Sequence, residues 1–113
     1  MNTLSIDQFR TMLEAAFSAV KEKSDYFSQL DAVTGDGDHG TAIVGAMGAA
    51  ISASSASDFK SLFTNMGFGI MLNTSGSTSS LMGGFFLGMA DGSDESTLNA
   101  DQLKIAFLSL IHI

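Results

Sequence analysis

The sequence contains neither cysteine nor proline. Without cysteine the chain has no disulfide framework and no thiolate chemistry, which is consistent with a cytosolic protein. No proline interrupts its apolar patterns, and no run alternates apolar and polar residues for long enough to predict a strand. We therefore expect an all-α protein.

Basic residues are also scarce: five Lys and Arg stand against twelve Asp and Glu, and the formal net charge is −7. This charge argues against nucleic acid or an anionic membrane as a partner. The N-terminus has no basic stretch followed by an apolar one, so no signal peptide is visible. Polar residues over 73–80 interrupt the apolar segment 67–90, which leaves no run of the roughly 20 residues that a membrane span needs. We expect a cytoplasmic protein.

Apolar residues at helical spacing predict about six helices in one domain. Ser5 and Gln8 form a capping-box pattern before the first amphipathic helix. Further helices are expected over 24–30, over about 41–55, after Asp58, from Leu81 and after Asn99. A loop is expected over 73–80 and an acidic connector over 91–96.

The segment 30–41 is the most informative part of the chain, because it holds three carboxylates and three glycines. Its carboxylates belong to Asp31, Asp36 and Asp38. Carboxylates this close repel one another, and a cation between them would turn that repulsion into binding. Oxygen ligands suit Mg²⁺ or Ca²⁺. The alternative is a solvated turn in which Asp and Gly serve only the turn geometry.

Two helix starts are candidates for binding an anion, because free backbone N–H groups and the helix dipole attract negative charge there. The first comprises His39, Gly40, Thr41 and Ala42, and the second is the segment 76–79. The alternatives are a helix start without a ligand and a Ser-rich loop that only caps the next helix.

Other motifs do not fit the acidic segment. An EF-hand would need an oxygen ligand at Gly40 and a glutamate at Met47. A calcium-binding nonapeptide repeat would recur, whereas the Gly-Asp-Gly-Asp run at 35–38 occurs once. The Gly-x-x-x-x-Gly-Lys-Ser/Thr pattern of a P-loop is absent from the sequence.

The run 30–40 resembles the pattern Leu-Asp-Ala-x-x-Gly-Asp-Gly-Asp-His-Gly of the nucleotide-binding L subunit or domain of dihydroxyacetone (glycerone) kinases, and it matches every fixed position. The similarity extends upstream over 23–29 and downstream over 76–83. It covers most of this chain but only about the first half of a family domain. The resemblance implies the first half of an antiparallel helical barrel.

The resemblance also assigns roles to the candidate residues. Asp31, Asp36 and Asp38 would coordinate two Mg²⁺ ions that bridge the phosphates of ADP or ATP. The segment 39–42 would contact the nucleotide, as would Ser77 and Thr78. Ser79 replaces a family glycine, and a serine held there at positive φ would be strained. No residue of this chain is expected to be a catalytic acid, base or nucleophile.

In the family, the triose or ketose substrate is bound covalently by a separate K subunit or domain. In one branch a phosphocarrier protein of the phosphotransferase system rephosphorylates the bound ADP, and in the other branch ATP is exchanged. The acidic segment does not decide between the branches. Two alternatives are a non-catalytic ADP–Mg²⁺ binding module that acts on a regulator and an inactive truncated fragment.

The C-terminus ends on apolar residues without a helix stop signal. We expect residues 1–107 to be a partial L-type domain and 108–113 to be a doubtful tail of a truncated reading frame. Residues whose partners would lie in the second half of the barrel are expected to be partly exposed: Phe85, Phe86, Ile105 and Leu108.

Overall fold

The computed structural model describes residues 3–92 and 97–108. Within them the chain forms six helices: α1 (Ile6–Glu22), α2 (Ser24–Ala32), α3 (His39–Ser52), α4 (Phe59–Asn73), α5 (Ser77–Asp91) and α6 (Ala100–Leu108). Two short strands, β1 (Leu4–Ser5) and β2 (Thr97–Leu98), pair antiparallel, with Leu4 opposite Leu98. The expected all-α class is confirmed, whereas the short strand pair was not predicted.

Side-chain caps fix where several helices begin. Ser5 and Gln8 form the predicted capping box at the start of α1. The Asp58 carboxylate accepts from the Ser61 N–H at 2.8 Å and caps α4. Asn99 and Gln102 exchange two backbone-to-side-chain hydrogen bonds of 2.8 Å before α6. Each cap satisfies an N–H group that a helix leaves without an internal partner.

One predicted boundary near the candidate residues was wrong. Helix α3 begins at His39, where the first candidate segment was expected to start a helix, whereas α5 begins at Ser77 rather than at Leu81, so the predicted loop 73–80 shrinks to residues 74–76. Ser79 therefore lies inside α5, and no residue other than glycine has positive φ in the described part of the chain. The positive φ that would have strained Ser79 is therefore absent.

The hydrophobic core is centred on α4, whose apolar face is completely buried. That face consists of Phe59, Leu62, Phe63, Met66 and Ile70. Residues from α3, α5, β2 and α6 complete the core: Ala46, Ala50, Phe86, Met89, Ala90, Leu98 and Ala106. The ring of Phe9 in α1 meets Phe63 edge-on at 5.4 Å between centroids. This core packs α3 and α5 against α4 and so sets the positions of these helices relative to one another.

Several apolar side chains near the C-terminal end of the described chain are exposed, as expected. Phe85, Ile105 and Leu108 are 38%, 56% and 48% exposed. The expectation for Phe86 was wrong, because it is 7% exposed and stacks on Phe63 at 6.2 Å.

Parts of two further expectations lie outside the described residues. These parts are residues 93–96 of the acidic connector and residues 109–113 of the expected tail. Among the described residues, no helix combines the length and the apolarity needed to cross a bilayer.

Candidate metal and phosphate site

The connection between α2 and α3 wraps around the carboxyl group of Asp31. The Gly35 N–H donates to the Asp31 carbonyl at 2.6 Å, and the Asp38 N–H donates to Asp31 Oδ2 at 3.0 Å. Gly37 has a φ of 77°, in the left-handed region that favours glycine. The last turn of α2 therefore holds the conformation of residues 33–38, which form the acidic loop.

This loop brings the three predicted aspartates together. Asp31, Asp36 and Asp38 each offer one carboxylate oxygen, and these oxygens all lie within 4.8 Å of one another. Asp31 is half-buried, whereas Asp36 and Asp38 are exposed. The three-carboxylate cluster predicted from the spacing is thus present as a geometric unit.

The carboxyl groups of this cluster perturb one another's protonation. The pKa of Asp38 is raised from its ordinary value of 3.8, first by a hydrogen bond with the Asp36 carboxyl and further by the negative charges of Asp36 and Asp31. The same hydrogen bond with Asp38 lowers the pKa of Asp36. Such mutual perturbation arises because two carboxylates at this distance resist full ionisation.

The donor set fits a divalent cation of the Mg²⁺ or Ca²⁺ type. All its atoms are carboxylate oxygens, which these ions prefer.

The second candidate segment lies where α4 turns into α5. Gly76 precedes α5 with a φ of 103°. The Ser79 hydroxyl donates to the Ser75 carbonyl and the Ser80 hydroxyl to the Gly76 carbonyl, both at 3.2 Å. These two hydroxyls therefore bond within their own helix turn, whereas Ser77 and Thr78 line a cavity.

That cavity, of about 340 Å³, has both loops in its wall. Its lining residues are Asp31, Asp36, Asp38, His39, Ala42, Ser75, Gly76, Ser77 and Thr78. Neither lysine nor arginine is among these residues. The starts of α3 and α5 both open onto it, so it combines a cluster of negative charge with the positive ends of two helix dipoles.

Two of the predicted site residues do not line this cavity. Gly40 is buried, and a Cβ at that position would collide with the Ser24 carbonyl group. Thr41 is exposed and is absent from the cavity wall. His39 does line the cavity, and its ring lies edge-on to Phe27 at 6.2 Å between centroids.

Sequence reasoning missed Ser75 and Ser28. Ser75 belongs to the cavity wall, and only its membership of the polar run marked it beforehand. The Ser28 hydroxyl accepts a hydrogen bond from the Gly40 N–H at 3.0 Å. Nothing in the sequence signalled that contact between two helices.

Two other surface depressions are larger but contain fewer carboxylate groups. One, of about 570 Å³, lies along the start of α1, and the other, of about 430 Å³, lies between α4 and α5. Each contains a single carboxylate, from Asp7 and Asp91 respectively. Neither offers a set of metal ligands, so the smaller acidic cavity is the better candidate site.

No protein-family model matches the chain, and no curated protein matches it significantly.

Proposed function

We propose that this chain binds ADP or ATP together with Mg²⁺ and acts as the nucleotide-binding, L-type part of a dihydroxyacetone kinase. The observation that carries the proposal is the shared cavity. Its wall contains the acidic cluster of one loop and the hydroxyl-bearing helix start of another. These are the segments in which the sequence resembles that family.

The charges around the cavity favour a cation and an anion bound side by side. The carboxylates of Asp31, Asp36 and Asp38 attract a divalent cation. The first turns of α3 and α5 favour an anion such as a phosphate. A magnesium–phosphate pair satisfies both preferences, whereas a bare anion would be repelled by the carboxylates.

Phosphoryl transfer requires positioning of the phosphates and neutralisation of their charge. Since neither lysine nor arginine lines this cavity, bound Mg²⁺ would supply the positive charge. The side chains of Asp31, Asp36 and Asp38 would hold the ions. The hydroxyls of Ser77 and Thr78, with His39, would orient phosphate oxygens.

Gly40 and Thr41 have a smaller part in this proposal than the sequence indicated. The Gly40 N–H already donates to Ser28, so Gly40 contributes close packing of α3 on α2. Ala42 remains in the cavity wall and would contact the nucleotide through its surface.

The remaining parts of the proposal follow from the family resemblance. The triose or ketose would be held by a separate K subunit or domain, which would receive the phosphoryl group in the cytoplasm. A phosphocarrier of the phosphotransferase system is the proposed partner if the bound ADP is rephosphorylated in place. The described helices would be the first half of the family's antiparallel barrel.

Calorimetric titration with ADP, with and without Mg²⁺, tests nucleotide binding. We expect ADP to bind in the presence of Mg²⁺ and to lose most of its affinity when EDTA removes the ion. Equal affinity in both conditions would contradict the metal-dependent site.

A transfer assay with a K subunit and dihydroxyacetone tests the reaction. We expect dihydroxyacetone phosphate to form from ATP only when both chains are present. Tight Mg²⁺-dependent ADP binding without transfer would instead favour a non-catalytic nucleotide-binding module.

A further inference from the structure

The helix that follows the acidic loop is not capped by its own N-cap residue. Aspartate is favoured at this position because its carboxylate accepts from the N–H of the second or third helical residue. Asp38 is the N-cap of α3, yet its side chain makes no cap hydrogen bond. Ser5 and Asp58, by contrast, cap α1 and α4 with their own side chains.

A neighbouring helix supplies the missing acceptor. Gly40 is the second residue of α3, and its N–H donates to Ser28 Oγ of α2 at 3.0 Å in a partly buried position. The packing of the two helices fixes this contact, because a Cβ at Gly40 would collide with the Ser24 carbonyl. A buried N–H group needs a partner, and Ser28 provides it.

The backbone next to the cap is also held by α2. The Asp38 N–H donates to Asp31 Oδ2 at 3.0 Å. Hydrogen bonds from α2 therefore hold the backbone on both sides of the Asp38 side chain. That side chain is exposed and offers an oxygen to the acidic cluster.

We propose that Ser28 is a positioning residue, which caps α3 in place of Asp38 and so leaves the Asp38 carboxylate available to a divalent cation. The proposal rests on the proposed metal-binding function and adds to it a residue outside the cavity wall. Without the Ser28 hydroxyl, the Gly40 N–H would need another acceptor, and Asp38 could serve only by moving from its present ψ of 4° to the extended conformation in which Ser5 and Asp58 cap their helices. Capping and cation binding would then compete for one carboxylate.

The test compares Mg²⁺ binding by the unchanged chain, Ser28→Ala, Ser28→Cys and Ser28→Thr, using calorimetry with Mg²⁺ alone. Cysteine keeps the size of the side chain but is a weak acceptor, so it preserves the packing if alanine disturbs it. We expect Ala and Cys to weaken Mg²⁺ binding about three- to tenfold. The loss of a helix cap typically changes a folding equilibrium by a factor of this size, and the binding loss should be similar if the carboxylate must leave the cap to bind the ion. Threonine, which retains the hydroxyl, should restore binding.

Ser24→Ala is the matched control, because Ser24 meets Gly40 through its backbone carbonyl rather than its hydroxyl. It should leave Mg²⁺ affinity unchanged. A second comparison repeats Ser28→Ala in an Asp38→Asn background. If Ser28 acts through Asp38, the double variant should lose no more affinity than Asp38→Asn alone.

Unchanged Mg²⁺ affinity in both Ser28→Ala and Ser28→Cys would overturn the proposal. So would a loss of affinity from Ser28→Ala that is as large in the Asp38→Asn background as in the unchanged chain.

NMR gives an independent readout in the metal-free chain. The chemical shifts of the Asp38 carboxyl carbon and of the Gly40 amide should both change in Ser28→Ala and return to their original values in Ser28→Thr. An unchanged Asp38 carboxyl shift in Ser28→Ala would overturn the idea that Asp38 replaces Ser28 as the cap. Failure of the unchanged chain to bind Mg²⁺ would count against the proposed function, while these NMR shifts would still decide whether Ser28 replaces Asp38 as the cap.

Discussion

Asp31 combines two tasks at the residue scale. One of its carboxylate oxygens accepts from the Asp38 N–H and shapes the loop, and the side chain also offers an oxygen to the acidic cluster. Asp36 is exposed, and its carboxyl group hydrogen-bonds with the Asp38 carboxyl within the cluster instead of anchoring the loop to α2. Asp36 is therefore the aspartate whose substitution separates ligand binding from folding most cleanly.

Asp36→Asn keeps the size of the side chain and removes its charge. We expect the Mg²⁺-dependent part of ADP affinity to fall by about tenfold or more, which corresponds to about 1.4 kcal/mol for each tenfold step. The metal-free variant should melt no lower than the unchanged chain, because one charge of a repelling cluster is gone. Titration calorimetry and a thermal melt measure the two effects.

Asp101→Asn is the control for this experiment, since Asp101 is an exposed residue of α6. It should leave the Mg²⁺ dependence intact. Retention of full Mg²⁺-dependent affinity in Asp36→Asn would remove Asp36 from the proposed ligand set.

A second prediction concerns the stability of variants at Ser79. It rests on helix propensity and not on the positive φ that the sequence analysis considered. Ser79 is buried within α5, where its hydroxyl donates to the Ser75 carbonyl. Glycine inside a helix costs about 1 kcal/mol relative to alanine. Ser79→Gly should therefore lower the melting temperature more than Ser79→Ala does. A rise in melting temperature for Ser79→Gly would restore the idea of a strained backbone at this position.

The sequence was most informative where residues act locally. The three aspartates of the cluster lie close together in the sequence, between the last turn of α2 and the start of α3, so their spacing was enough to predict their meeting. The role of Ser28 depends on how α2 packs against α3, which no local pattern encodes. Ser79 is not strained, because it lies in the first turn of α5, which begins at Ser77 rather than at the predicted Leu81.

At the scale of the elements, α4 and α5 approach closely at two glycines. A Cβ at Gly67 would lie 2.7 Å from Leu87 Cγ and 3.0 Å from the Gly83 carbonyl oxygen. Gly84 occupies the same helix as Gly83, but a Cβ there would meet nothing within 4 Å. Gly67 and Gly83 therefore allow the close packing of α4 on α5, whereas Gly84 makes no such contact.

Alanine substitutions at these positions should have opposite effects on stability. Gly67→Ala forces apart a packed contact, and we expect it to destabilise the fold by about 1–3 kcal/mol. Gly84→Ala adds helix propensity in open space and should stabilise by about 0.5–1 kcal/mol. Chemical denaturation of both variants measures the difference. Destabilisation of equal size in the two variants would contradict the packing of α4 on α5.

Helix starts with side-chain caps were predictable, and the short strands were not. The Ser5–Gln8 capping box was read from the sequence because its geometry follows from the spacing. The strand pair is two residues long on each side, too short to show alternation. It forms because residues 97–98 lie beside residues 4–5 in the folded chain, which is a tertiary effect.

At the scale of the whole molecule, the candidate site exists because two distant loops meet. The acidic loop follows α2, and the hydroxyl-bearing start of α5 follows α4. The sequence identified both segments but could not show that they face one cavity. The packing of α3 against α4 in the core provides that arrangement.

A ligand that contacts both loops should stabilise the fold by linking them. Thr78 lines the cavity, whereas Thr41 belongs to the neighbouring helix start without lining it. We expect Mg²⁺ with ADP at one hundred times its dissociation constant to stabilise the unchanged chain by about 2.7 kcal/mol. Thr78→Ala should lose much of this stabilisation at the same concentrations, and Thr41→Ala should keep it. Thermal melts with and without Mg²⁺ and ADP make the comparison, and hydrogen exchange at the first turn of α5 locates the effect. Equal losses in the two threonine variants would mean that the nucleotide does not reach across the cavity to α5.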